Sequence, residues 1–263
     1  MQTLVRYVLY LVVAFQAFFA VATFFQWPVA TALWPFAGTT PLTYIFISSI
    51  FAAAAAATLW AVVTKNDGAL AGIALDYLTI MGPLSIFAFL VGLRGEGAPL
   101  FGFAVACLFG AVFGVALLAW SLTQPLDRSV RLPGLVRWSF VVFIIALLIV
   151  ATRLLLQHPN VIPWTITPDL SVVIGWIFFG AATYFIYTLL RPSWANAGGQ
   201  LAGFLAYDVV LIVPFLQRLP TVAPEHCLGL IIYTVVVAYS GLLAFYFLFL
   251  NRSTRVWGAS PAA

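Results

Sequence analysis

Charged side chains are scarce in this chain: Asp, Glu, Lys and Arg together hold only 7% of its 263 positions. Soluble globular domains carry about 25% charged residues, whereas here 64% of the residues are hydrophobic. A chain of this size cannot bury so much apolar surface in water, so its solvent must be a lipid bilayer. A nucleic-acid-binding function is excluded too, because the 11 Lys and Arg residues are scattered between apolar runs and form no basic stripe.

Cysteine and histidine are also scarce, with two residues of each. Cys107 and Cys227 cannot form a disulfide framework and are expected to be unpaired, small apolar residues. No His-x-x-His or Cys-x-x-Cys spacing occurs, so we predict no bound metal and no haem. The common nucleotide-binding and hydrolase motifs are missing, so we predict neither a cofactor nor an enzymatic activity. The least supported alternative is a membrane enzyme with an outer-face site formed by His158, Asp169, Glu225 and His226.

About eight apolar runs reach the roughly 20 residues that a helix needs to cross a bilayer. Helices are expected because a spanning segment must satisfy its own backbone, and the runs are too long and uniform for barrel strands. The sequence therefore predicts an all-α integral membrane protein with about eight transmembrane helices. The predicted spans cover residues 4–25, 42–63, 69–91, 100–122, 135–156, 170–190, 201–216 and 228–250.

The basic residues predict the orientation of these spans. Cytoplasmic loops carry an excess of Lys and Arg, and eight of the 11 basic residues fall on the side that holds both termini. We therefore expect a multi-pass protein of the cell inner (plasma) membrane with both termini in the cytoplasm. The larger set is Arg6, Lys65, Arg128, Arg131, Arg137, Arg191, Arg252 and Arg255, and the smaller set is Arg94, Arg153 and Arg218.

Several short segments occur twice with a constant separation. Arg6 and Arg137 lie 131 residues apart (137 − 6), and Pro83 and Pro214 have the same separation (214 − 83). The pattern predicts an internal repeat, with a first four-helix unit at 1–126, a cytoplasmic linker at 127–131 and a second four-helix unit at 132–263. An even number of spans in each unit makes the two repeats parallel, related by a pseudo-twofold axis along the membrane normal.

Two aspartates lie inside predicted spans, each beside a tyrosine: Asp76 precedes Tyr77, and Tyr207 precedes Asp208. A carboxylate at membrane depth is costly and often marks a functional site, although a buried neutral Asp can also serve helix packing. These four residues are our candidate binding site, in which the tyrosines would be hydrogen-bond partners. The order is reversed between the halves, so strict equivalence pairs Asp76 with Tyr207.

Each aspartate is followed by a proline in the same span, Pro83 in the first half and Pro214 in the second. Proline removes a helical hydrogen bond, so we expect a kink at both positions. Broken helices at matching places are typical of transporter sites near the bilayer midplane. The favoured hypothesis is a small permease or ion-coupled carrier with a site between the repeats. The alternative is a non-catalytic scaffold or accessory subunit, with membrane-protein partners or further copies of the chain.

Trp34 and Trp164 lie in matching outer loops, and each loop leads to a Thr-Pro pair at 40–41 or 167–168. Tryptophan is enriched at membrane interfaces, so we expect both residues to anchor their loops there. Thr before Pro predicts a helix start, with Thr as N-cap and Pro at the first helical position. The pattern Trp-Pro, then Thr-Pro-Leu and a small-residue helix, resembles uncharacterised bacterial multi-pass membrane proteins. This resemblance implies no particular activity.

Overall fold

The computed structural model describes residues 2–256, and this part of the chain is built from helices joined by short connections. Eight of the helices there are long and apolar enough to cross a membrane, which confirms the predicted fold class. Residues 257–263 of the predicted second unit lie outside the described residues. The helices are α1 (Gln2–Phe24), the short α2 (Pro28–Leu33), α3 (Pro41–Val63), α4 (Leu70–Val91), α5 (Ala98–Ser121), α6 (Gly134–Leu155), α7 (Pro168–Leu190), α8 (Trp194–Arg218) and α9 (Pro224–Phe245).

The starts of α3 and α7 follow from their Thr-Pro pairs. Both helices begin at the proline, whose missing N–H costs nothing at the first helical position. The Thr167 hydroxyl caps α7 by accepting from the Leu170 amide at 3.2 Å. Thr40 occupies the same place before α3, but its side chain makes no capping bond. The two starts therefore share a backbone geometry but not the predicted side-chain cap.

The ends of α1 and α6 also have one geometry. Gln26 and Gln157 adopt left-handed φ values of 52° and 55° just after these helices. In each turn the amide of the next residue donates to the carbonyl five residues earlier, at 2.9 Å. This is the Schellman arrangement, which satisfies carbonyls that a helix end leaves free.

The seventh predicted span is too short: α8 begins at Trp194, whereas the apolar run begins at residue 201. Its first turns contain small and polar residues, which a hydropathy pattern does not recognise as membrane helix. The Ser193 hydroxyl caps this segment by accepting from the Asn196 amide at 3.3 Å. The Asn196 side-chain amide in turn donates to the Arg191 carbonyl at 2.8 Å. Local capping thus extends the helix beyond its apolar part.

Four central helices, α3, α4, α7 and α8, carry the contacts between the two halves of the chain. α3 packs on α8 and α4 packs on α7, while α1 packs on α3, α5 on α4, α6 on α7 and α9 on α8. Each half therefore places its two middle helices against the other half and its first and last helices outside. Side chains deep in the central contacts determine how closely the halves approach.

Glycines set both contacts between the halves. Gly203 of α8 lies against α3, where an added Cβ would be 3.2 Å from the Ala53 carbonyl oxygen. Gly180 of α7 lies against α4, where an added Cβ would overlap Ile80. Small residues let membrane helices approach closely, so these two positions bring the central helices into backbone-level contact.

Pro83 and Pro214 lie inside α4 and α8, and both helices continue past them. Each proline leaves one carbonyl in the preceding turn without its usual amide donor. The kinks expected at these positions stay a prediction.

Candidate functional site

Asp76 lies on α4 at the contact with α7, the helix of the other half. Its carboxylate faces Gly180, where an added Cβ would be 2.6 Å from the Asp76 Oδ1. Oδ1 is buried and has no hydrogen-bonding partner among the described residues. A buried carboxyl oxygen without a partner is costly, especially where water is excluded. The structure therefore holds an acidic group with unused binding capacity between the two halves.

Tyr184 of α7 completes the surroundings of this carboxylate and was not among the predicted site residues. Its ring lies directly over Gly72 of α4, and its hydroxyl is 2.8 Å from where a Cβ on Gly199 of α8 would be. Tyr184 follows Gly180 by four residues, so the two share one face of α7. That spacing is a signal that sequence reasoning could have used, once Gly180 was paired with Asp76.

Tyr77 faces away from Asp76, toward α1 and α3. The Gln16 side-chain amide donates to its hydroxyl, and the Thr58 hydroxyl lies 3.4 Å from the same oxygen. Successive residues of a helix point about 100° apart, so neighbours in sequence do not face one partner. Tyr77 therefore does not supply the hydrogen bond to Asp76 that we expected from the sequence.

Asp208 lies at a different contact, between α8 and α9 of the second half. Its side chain is 4% exposed, and an added Cβ on Gly241 of α9 would be 3.4 Å from Oδ2. The Ser240 hydroxyl lies beside this carboxylate but donates to the Val236 carbonyl at 2.8 Å. Neither carboxylate oxygen has a well-formed hydrogen bond within the described part of the chain.

Tyr207 joins α8 to two other helices. Its hydroxyl forms a hydrogen bond with the hydroxyl of Tyr233 on α9. Its ring packs on Phe46 of α3, with the ring centroids 6.1 Å apart. Tyr207 thus takes part in packing and is committed to a partner other than Asp208.

The four predicted site residues do not converge on one cavity. Asp76 lies between the halves, whereas Asp208 lies within the second half, against α9. The reversed order of Asp and Tyr explains the difference, because a shift of one residue turns a side chain by about 100° around its helix. Asp76, with Gly180 and Tyr184 opposite, is the part of the candidate site that lies where the two halves meet.

Trp34 and Trp164 are both buried, with 8% and 4% of their surface exposed. Trp34 packs edge-on against Phe103 at 5.6 Å, and Trp164 packs on Phe46 at the same centroid distance. The prediction of lipid-facing interfacial anchors therefore needs correction. The rings fasten their loops to the protein core, because several aromatic side chains of the spans surround them.

A small cleft of about 190 Å³ lies at the end of the molecule where α8 begins. Asp127, in the connection between the halves, lines it together with Trp60 and Trp194. The Ser129 backbone amide donates to the Asp127 carboxylate at 2.8 Å and lowers the pKa of this side chain below its usual value. Asp127 therefore places a negative charge at the rim of the cleft at neutral pH.

A metal site would need several ligands close together. Within residues 2–256 no group of three or more His, Cys, Asp or Glu side chains has that arrangement. No family model, curated protein or solved structure was found to match the chain. Its function is therefore argued from the geometry alone.

Proposed function

We propose that this membrane protein is a small ion-coupled carrier in which Asp76 takes up a proton or a cation between the two halves. The observation that supports the proposal is the buried Asp76 Oδ1, which has no partner at the contact between α4 and α7. Ionisable groups inside membrane spans mark ion or proton pathways in many transporters. Uptake of a proton or cation would remove the electrostatic cost of this carboxylate and favour a tighter contact.

The halves would move as two four-helix repeats. The helix contacts support this arrangement, because α1–α3, α4–α5 and α3–α8 in one direction correspond to α6–α7, α8–α9 and α7–α4 in the other. The matching turns at Gln26 and Gln157 support it as well. In parallel repeats of this kind, one half rocks against the other around a site near the midplane.

The orientation that fits the proposal has both termini in the cytoplasm of a cell whose inner membrane holds the protein. The supporting observation is the excess of basic residues on the side of the termini, including Arg6 and Arg137. Asp76 would then lie about 10 Å inside the cytoplasmic end of α4, at about 1.5 Å for each residue. A proton or cation could reach it from that side when α4 and α7 separate.

Purified protein in liposomes tests the proposal directly. Proton, sodium and potassium gradients are imposed in turn, and ion movement is followed with a trapped pH dye and with ion-selective probes. We expect wild-type protein to move at least one of these ions and Asp76→Asn to reduce the rate at least tenfold. Asp208→Asn is the matched control, since it removes a carboxylate away from the contact between the halves.

Two outcomes would overturn the carrier proposal. One is the lack of ion movement by wild-type protein in every gradient. The other is an equal effect of Asp76→Asn and Asp208→Asn, because a site between the halves requires Asp76 alone.

A second candidate function is that of a non-catalytic accessory subunit in a larger membrane complex. The separation of Asp76 and Asp208 favours it, because two carboxylates at separate packed contacts form no shared binding cavity. Purification in mild detergent distinguishes the candidates. A stable partner at fixed stoichiometry supports the subunit, whereas a lone chain that moves ions in liposomes supports the carrier.

A further inference from the structure

A groove of about 460 Å³ lies within the first half, between α1, α3, α4 and α5. Its size falls in the range of small-molecule sites, about 300–1,000 Å³. Gln16 and Tyr77 are the only lining residues with polar side chains. Aromatic rings form much of the remaining wall and come from Phe15, Phe51, Phe109 and Phe113.

Gln16 gives the groove a specific hydrogen-bonding capacity. Its side chain is only 7% exposed, and its Nε2 donates to the Tyr77 hydroxyl. The carbonyl oxygen Oε1 has no partner among the described residues. An unpaired buried acceptor is costly where no water can reach it. A ligand that offers one hydrogen-bond donor would satisfy this oxygen.

The depth of Gln16 restricts the source of that donor. Gln16 lies about 21 Å along α1 from Gln2 and about 12 Å from Phe24, at about 1.5 Å for each residue. This depth is within the hydrocarbon core, where phospholipid chains carry no donor. The ligand must therefore be dissolved in the membrane and bring a polar group into its interior.

The equivalent region of the second half is joined differently. Val12 of the groove corresponds to Phe143, 131 residues later (143 − 12). The Phe143 ring lies 6.2 Å from the Tyr239 ring of α9, and the Tyr239 hydroxyl is 2.7 Å from the Ser139 hydroxyl of α6. A larger side chain and a hydrogen bond thus connect the outer helices there. The groove is a property of the first half that packing of the fold does not require.

We propose that the groove binds a lipid-soluble phenol, a molecule with a hydroxylated aromatic ring and a hydrocarbon tail. The hydroxyl donates to Gln16 Oε1, and the ring packs among the phenylalanines in edge-to-face or offset contacts. The tail extends along the exposed side chains of Val8 and Leu11 into the lipid. This ligand site is independent of Asp76, which faces α7 on the other side of α4.

Photolabelling in lipid nanodiscs tests the proposal with para-dodecylphenol that carries a diazirine in its tail. Unlabelled para-dodecylphenol, dodecylbenzene and dodecanol then compete with the probe. Dodecylbenzene has the ring without the donor, and dodecanol has the donor without the ring. We expect the phenol to compete at a roughly tenfold lower mole fraction than either, because a buried hydrogen bond and ring packing each contribute. Labelled peptides should map to α1 and α5.

Two variants separate the contributions, and both introduce the residue found 131 positions later. Gln16→Leu removes the acceptor, so the phenol should lose its advantage over dodecylbenzene. Val12→Phe fills the groove, so labelling by the phenol should fall at least tenfold. Val142→Phe is the matched control, since residue 142 is 62% exposed on α6 of the other half and labelling should not change. Monodispersity and thermal midpoint are measured for every variant.

The proposal is wrong if dodecylbenzene competes as well as the phenol, or if labelled peptides map outside the groove. It is also wrong if folded Val12→Phe protein is labelled like wild type. Should that variant instead dissociate a dimer, release a phospholipid or lose a co-purifying protein while phenol labelling persists, the groove belongs to that other occupant.

Discussion

Arg6 and Asp67 form an ion pair that joins the beginning of α1 to the turn before α4. The Arg6 Nη2 atom lies 3.0 Å from Asp67 Oδ2 and 3.1 Å from Oδ1. The side chain of Asp67 is 7% exposed and that of Arg6 is 28% exposed. Charge-assisted pairing of both oxygens offsets the cost of taking this carboxylate out of water. The pair thus ties an outer helix of the first half to a central one.

Replacement of Asp67 by Asn should destabilise the protein, because it leaves a partly buried guanidinium without its counter-charge. We expect a loss of about 1–3 kcal/mol, below the value for a fully buried pair because Arg6 retains some solvent. The measurement is the unfolding midpoint of purified protein in detergent. Arg137→Gln is the control for Arg6→Gln, since position 198, 131 residues after Asp67, holds Gly198. Equal losses in the two arginine variants would contradict a role for the ion pair.

The spans of the fold could be predicted from the sequence because lipid imposes a length and a composition on every helix that crosses it. The predicted range 42–63 differs by one residue from α3, and the range 69–91 differs by one residue from α4. The beginning of α8 could not be predicted this way, because its stability comes from capping by Ser193 and not from hydropathy.

The site was less predictable, because its geometry depends on which face of a helix meets which neighbour. Asp76 was identified from its cost in a membrane, but its partners Gly180 and Tyr184 belong to a helix about 100 residues away in sequence. Local patterns carry no direct signal of such a contact. The burial of Trp34 was missed for a related reason: the loop composition suits an interface, and only the tertiary fold folds the ring inward.

Gly180 should be intolerant of any side chain. A Cβ at this position would overlap Ile80 and the Asp76 carboxylate, so Gly180→Ala must separate α4 from α7. We expect a loss of about 1–3 kcal/mol, the usual cost of overpacking, and this loss should appear in the thermal midpoint. Gly102→Ala is the matched control, because nothing lies within 4 Å of the added Cβ. Alanine also favours the helix there, so a stability loss at Gly102 equal to that at Gly180 would refute the explanation.

Trp164 should contribute far more to stability than a tryptophan on the lipid-facing surface. Its ring is 4% exposed and packs on Phe46 and Phe215, so Trp164→Ala should cost about 3–5 kcal/mol. Trp138 is 71% exposed, and Trp138→Ala should change the unfolding midpoint only slightly. A membrane-interface role for Trp164 predicts the opposite ranking in liposomes, where the comparison should be repeated.

Asp208 should reduce the stability of the protein, in contrast to Asp67, because its buried oxygens have no well-formed hydrogen bonds among the described residues. Asp208→Val removes these oxygens without adding bulk, so we expect a gain of about 1–3 kcal/mol. Asp76→Asn should leave stability unchanged or raise it while it slows ion movement in liposomes, the pattern of a residue kept for function at a cost in stability. Unfolding midpoints and ion movement are measured on the same preparations. A loss of stability in Asp208→Val would mean that its carboxyl group serves packing, and unfolding of Asp76→Asn would remove the basis for assigning that residue an ion-binding role.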